Sequence, residues 1–189
     1  MKSLIIVLLT SVFLIGCNIS QKNTEKNALL IEEYVKAVET ENYSLMSSLL
    51  DDNYIGLGPS INDSIGKVEA LANWKANMEE LYDKIEYQKS RNVAITITSG
   101  DNQGEWVSTW AQLEITYKGD VGSVTIWANT IYQIKNNKIV KSSTFYNEGL
   151  LLSQALKELI EDNEEFQINL AGEVMLKGKT QSLKIYSIN

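Results

Sequence analysis

The chain has 189 residues, 44% of them hydrophobic, with 11 Gly, one Pro and a formal net charge of −7. That is material for one domain with a real core, and it excludes a collagenous or low-complexity chain. The 17 Lys and Arg against 24 Asp and Glu lack the basic excess that displaces counterions from nucleic acid, so no nucleic-acid partner is expected. No His and a single Cys exclude Ser-His-Asp and Cys-His catalysis, His-bearing zinc sites and internal disulfides.

In chain order, Lys2 precedes the apolar run Leu4 to Leu9, a Thr10-Ser11 break, and Val12 to Ile15. A basic start followed by about a dozen apolar residues reads as a secretory signal. It falls short of the roughly twenty residues of a spanning helix. The segment closes on Leu14-Ile15-Gly16-Cys17, a match to the bacterial lipobox, in which the Cys becomes lipidated and N-terminal. Residues 1–16 are therefore expected to be a lipoprotein signal peptide, and 17–27 a lipid anchor and polar tether. The expected partner of Cys17 is the membrane, reached through lipid hydrocarbon at roughly 0.8 kcal/mol per buried methylene. Localisation is expected in the cell envelope. Asn18 rather than Asp after the Cys points to the outer membrane if the cell is Gram-negative.

From Ala28 the pattern turns helical. Leu30, Tyr34, Ala37 and Val38 form one stripe, and Leu45, Met46, Leu49 and Leu50 form a second, short one, stopped by Asp51-Asp52-Asn53. Tyr54-Ile55-Gly56-Leu57-Gly58-Pro59 reads as a loop or short extended piece. A third helix follows, with Val68, Leu71, Lys75, Met78 and Tyr82 at helical spacing and a cap expected near Ser64. The period then changes to two. Val93, Ile95 and Ile97 alternate with small or polar neighbours; Val107 to Tyr117 and Val124 to Ile134 follow, separated by turns at 99–104 and 118–120. Lys135-Asn136-Asn137-Lys138 fits a tight hairpin, because Asn tolerates positive φ. A last strand is expected over about Ile139 to Asn147. The order predicts an α+β domain: three helices, then four antiparallel strands whose curved sheet cups the helices.

Both central strands have one aliphatic face and one face that is aromatic and polar together: Trp106, Trp110, Gln112 and Glu114 on one, Trp127 and Asn129 on the other. Such a face suits the wall of a small-ligand pocket. It suits a subunit interface equally well, and a third reading makes these Trp ordinary core or surface residues.

The layout resembles the SnoaL-like branch of the nuclear-transport-factor-2-like superfamily. The residues that carry the resemblance are the opening helix pair through Leu45 to Asp51, Tyr54 to Pro59, and the helix with Ala72-Asn73-Trp74-Lys75. They continue with the strand Gly104-Glu105-Trp106-Val107-Ser108-Thr109-Trp110, the hairpin Asn136 to Lys141, and Ser143-Thr144-Phe145-Tyr146-Asn147. The resemblance implies a cone-shaped domain over 28–154, of a kind that hosts polyketide cyclases, isomerases, dehydratases or simply ligands. The pocket candidates are then Tyr54, Trp74, Trp106, Trp110, Trp127, Asn129, Tyr146 and Asn147. Asn147 stands where the family's closing strand often carries Asp, and an amide is no general base. A Tyr hydroxyl as oxyanion donor with a raised-pKa carboxylate would serve an isomerase; the groups available are Tyr54, Tyr146, Glu105, Glu114, Asp63 and Glu148.

Residues 155–189 are expected to be a C-terminal extension. Leu151, Leu152, Ala155, Leu156, Leu159 and Ile160 form an amphipathic stripe, and Gly172 to Lys179 with Leu183 to Ile188 reads as a hairpin. That hairpin is similar to the closing segment of class III nucleotide cyclase domains, without their metal-binding Asp. No cofactor and no metal are expected: Asp101 to Glu105 lacks a calcium-loop pattern, and Gly56-Leu57-Gly58 lacks the third Gly of a dinucleotide fingerprint. Together these readings predict a lipid-anchored protein without enzymatic activity that binds a small, partly apolar molecule in a cone-shaped pocket or pairs as a homodimer. The alternatives are a small isomerase, dehydratase or cyclase-type enzyme, and a protein-interaction module.

Overall fold

The computed structural model describes residues 23–58, 62–119 and 122–146, with the backbone of two further strands over 168–174 and 183–188. Helix α1 spans 23–39. Its buried stripe is Leu30, Ile31, Tyr34, Val35, Ala37 and Val38, the i, i+3, i+4 spacing that puts one helix face on a core. Helix α2 (Tyr43–Leu49) starts at Asn42, whose side-chain oxygen accepts from the Leu45 N–H at 3.0 Å, satisfying a donor that the first turn leaves open. Strand β1 (Leu50–Leu57), strand β2 (Ser64–Gly66) and helix α3 (Lys67–Glu80) follow. Four long strands complete the domain: β3 (Tyr82–Ile97), β4 (Gly104–Tyr117), β5 (Ser123–Lys135) and β6 (Lys138–Tyr146).

The six strands form one curved, open sheet in the order β2-β1-β6-β5-β4-β3. Neighbours pair antiparallel except β1 and β6, which run parallel, so the sheet is mixed rather than purely antiparallel. The expected hairpin is present: Asn136 and Asn137 have φ of 53° and 59°, and Lys135 pairs with Lys138. Positive φ at both central residues matches the twist of the flanking strands. Strands β7 (Ile168–Val174) and β8 (Leu183–Ile188) pair antiparallel with each other. The expected signal segment, Cys17, Pro59, Asn147, Glu148 and the stripe Leu151 to Ile160 lie outside the described residues.

Tyr54 to Leu57 takes the extended form of the two expected for it: it belongs to β1, paired on one side with β2 and on the other with β6. Two local expectations are corrected. Ser64 lies in β2, and the N-cap of α3 is Gly66. Helix α3 ends at Glu80, and Tyr82 opens a sixteen-residue strand instead of the short one expected over 93–97. The physical reason is a bulge between Gln88 and Arg91, with Lys89 at φ 49°. Ile85 and Tyr87 share the helix-covered face with Ile115 and Leu113, and after the bulge Asn92 and Ala94 share it with Thr109 and Val107. Inward positions therefore switch from odd to even, and no single period of two runs through the strand.

Two apolar clusters build the core. One joins α1, Met46 and Leu50 to Val107, Tyr132, Ile134 and Ile139; the other is Met78, Ile85, Ile115, Val124 and Ile126. Trp74 and Tyr87 pack against both.

Candidate functional site

Between these clusters lies a pocket of about 350 Å³, at the small end of the range for small-molecule sites. Helix α1 contributes Tyr34, and α3 contributes Ala70, Asn73, Trp74 and Asn77, one stripe at helical spacing. The sheet contributes alternate residues of neighbouring strands: Ile85 and Tyr87; Leu113 and Ile115; Ile126, Ala128, Thr130 and Tyr132; Ser142, Thr144 and Tyr146. Tyr54 and Gly56 line it from β1, Tyr82 from the start of β3, and Gly58 and Asp63 from the rim.

Four of its hydroxyls pair with one another. The hydroxyls of Tyr54 and Ser142 are 2.7 Å apart, and those of Thr130 and Thr144 are 3.2 Å apart. Trp74 lies beside the Tyr34 hydroxyl, where it slightly offsets the effect of burial on that phenol. Tyr34 meets Tyr132 edge-on at 6.1 Å between ring centroids, the arrangement that ring quadrupoles favour. Burial raises the pKa of Tyr34, Tyr54, Tyr87 and Tyr132. The phenols of Tyr34, Tyr54 and Tyr87 raise that of Tyr132 further, because a phenolate so enclosed would lie close to other electron-rich oxygens. These groups stay neutral donors and acceptors. Glu39 at the end of α1 holds this wall in place, its carboxylate accepting from the Tyr87 backbone N–H at 2.8 Å.

Among the described residues, Asp63 is the one charged side chain in the lining, and it is exposed. The Gly58 N–H donates to the Asp63 carbonyl at 3.1 Å. A Cβ on Gly58 would fall on the Asp63 carboxylate, so this glycine leaves the acid room against the rim.

Of the residues singled out from sequence, Tyr54, Trp74 and Tyr146 line the pocket. Trp106, Trp110, Trp127 and Asn129 lie on the opposite, outer face of the sheet. There Trp110 and Trp127 are 53% and 60% exposed. Trp106 folds against the β3–β4 turn, its indole N–H donating to the Asn102 carbonyl at 2.8 Å. Asn129 donates to Ser108 and to the Thr109 carbonyl at 2.9 and 3.0 Å. The face expected to wall a cavity is thus turned away from it, because the helices cover the odd-numbered side of β4. Missed in the sequence were Tyr34, Tyr82, Tyr87, Tyr132, Asn73 and Asn77. Tyr34, Tyr82 and Tyr132 stood in the apolar stripes, where a buried Tyr reads as core. Its hydroxyl, which wants a partner when buried, is the signal that could have separated it from Leu.

The acidic candidates disperse. Glu105 accepts from Thr96 at 3.0 Å and from Asn27 at 3.4 Å, and Glu114 shares the outer face with Gln88. Among the described residues no carboxylate is buried beside Tyr54 or Tyr146, and no group of three or more His, Cys, Asp and Glu could hold a metal ion.

No protein-family model and no curated protein matches the sequence. Solved structures do match. A candidate polyketide cyclase from Xanthomonas campestris superposes with a TM-score of 0.57 at 10% identity, over 70% of this chain and 98% of that one. A candidate SnoaL-like polyketide cyclase from Shewanella denitrificans gives 0.53 at 13% identity, over 69% and 97%. An epoxide hydrolase of the LEH-like type from Mycobacterium tuberculosis gives 0.53 at 13%, over 73% and 95%. With three helices on a curved, open six-stranded sheet, this domain has the fold of the SnoaL-like and nuclear-transport-factor-2-like superfamily.

Proposed function

We propose that the domain binds a small, largely apolar molecule in the pocket between α1, α3 and the sheet, without catalysing a reaction on it. The observation that supports this most is the lining itself: six Tyr and Trp74 around about 350 Å³, with the hydroxyls of Tyr54, Ser142, Thr130 and Thr144 paired among themselves. Fold alone does not choose between binding and catalysis here. Native mass spectrometry of the full chain tests the reading. A reproducible small adduct is expected, lost when Ala128→Phe fills the pocket while circular dichroism is unchanged. A protein that carries no adduct and takes up no apolar probe would refute it.

In the same proposal, Cys17 is lipidated after removal of residues 1–16 and holds the domain at the cell envelope, on the outer membrane if the cell is Gram-negative. Detergent phase partitioning tests this: the wild-type chain is expected in the detergent phase and Cys17→Ala in the aqueous phase. A wild-type chain that stays aqueous would remove the anchor.

A second reading rests on a different observation. Val93, Ile95, Trp110, Trp127 and Phe145 are all exposed, and strand pairing sets them on the outer face together. Contiguous exposed apolar side chains of this kind mark contact surfaces. We propose that two copies pair through this face. Sedimentation velocity is expected to show a dimer that Trp110→Asp with Trp127→Asp dissociates; a monomeric wild type would end the idea.

A further inference from the structure

Granting the pocket reading, we propose that its occupant is a small cation with an apolar surface, of the methylated ammonium class. The argument proceeds by charge. No Lys or Arg is found in the lining among the described residues, so an anion would lose its hydration there without a compensating charge. The phenols offer no cation either, since a tyrosine hydroxyl is neutral or, on losing its proton, negative. Four hydroxyls of the lining, those of Tyr54, Ser142, Thr130 and Thr144, are partnered with one another, which reduces what the sheet wall offers a neutral ligand rich in hydroxyls; Asn73 and Asn77 supply amides on the α3 wall.

What the pocket offers in quantity is aromatic rings, from Trp74 and six tyrosines. Ring faces are electron-rich and attract a desolvated cation that needs no hydrogen bonds, which describes a methylated ammonium. The one carboxylate, Asp63, stands at the rim, and the chain carries a formal charge of −7. Both favour an approaching cation.

The test is calorimetric titration of the full chain with choline and with 3,3-dimethylbutan-1-ol, its uncharged carbon isostere. Choline is expected to bind about tenfold or more tightly than the alcohol. Asp63→Asn, an exposed change that leaves packing alone, is expected to weaken choline severalfold and to leave the alcohol unaffected. Tyr82→Phe keeps a ring and should retain choline, whereas Tyr82→Leu should weaken it. A short-chain phosphatidylcholine, titrated in parallel, identifies the source: tighter than choline means a lipid head group, weaker means a free small cation. If the alcohol binds as well as choline, the charge class is overturned and the apolar pocket stands. If no titrant binds, both readings fall.

Discussion

Strands β4 and β5 carry two faces of similar hydrophobicity and opposite fate. On the helix-covered side, Val107, Thr109, Ala111 and Ile115 face Tyr132, Thr130, Ala128 and Val124 across the ladder, and all but Thr130 are buried. On the outer side, Trp110 pairs with Asn129 and Trp127 with Gln112, and both Trp are more than half exposed. The pocket does not lie on the face with the larger aromatics. The pocket forms over the small residues, where Ala128, Thr130 and Thr144 leave space that tyrosines from α1, β1 and β3 surround. A cavity is a shortfall of volume in a close-packed interior, so it follows small side chains on a covered face and not large ones on an open face.

Alkali is the largest way to break the contrast. The inner phenols have pKa values above the ordinary 10.0 because of burial. Below pH 10 these groups are neutral in both states, and their contribution to stability is intact. As the pH climbs from 10 through the folded values, the unfolded chain sheds protons that the folded chain retains, and stability falls. Phenolate absorbance should therefore report two populations, the inner one ionising only as circular dichroism is lost. Inner phenols that titrate freely at the ordinary value would contradict the enclosed wall.

Single substitutions then sharpen the comparison. Ile139→Ala, at a fully buried position of β6, is expected to cost about 2–5 kcal/mol in urea denaturation. Tyr54→Phe removes the only partner shown for the buried Ser142 hydroxyl and is expected to cost about 1–3 kcal/mol. Gly56→Ala comes next. A Cβ there would stand 2.8 Å from the Tyr54 hydroxyl, and moving that side chain is expected to cost about 1 kcal/mol. Trp110→Ala on the outer face should change monomer stability by no more than about 0.5 kcal/mol, in spite of deleting a larger side chain than any of the others. A loss comparable to that of Ile139→Ala, at concentrations where the chain is monomeric, would show that the outer face is packed after all.

Much of the fold was legible because its signals are local. The stripe Leu30, Tyr34, Ala37 and Val38 needs only the helical period, and the Asn136-Asn137 turn needs only two residues that tolerate positive φ. Alternation along β4 and β5 assigned residues correctly to shared faces, Trp110 with Trp106 and Val107 with Ala111. The pocket was less legible. Tyr54, Trp74 and Tyr146 could be named, yet their neighbours Tyr87 and Tyr132 carried no mark that separates a pocket wall from a core.

The sequence by itself determined the helix-then-sheet order, the turns and which side chains travel together, since each depends on residues within a few positions of one another. Only the tertiary structure decided that β1 runs parallel to β6, nearly ninety positions away in the Tyr54–Ser142 contact. It alone set the bulge that reverses the inward side of β3, and it chose which face of the sheet the helices cover. A period of two divides residues into two faces and is symmetric between them. Packing against α1 and α3 breaks that symmetry, and no residue on the strands encodes it alone.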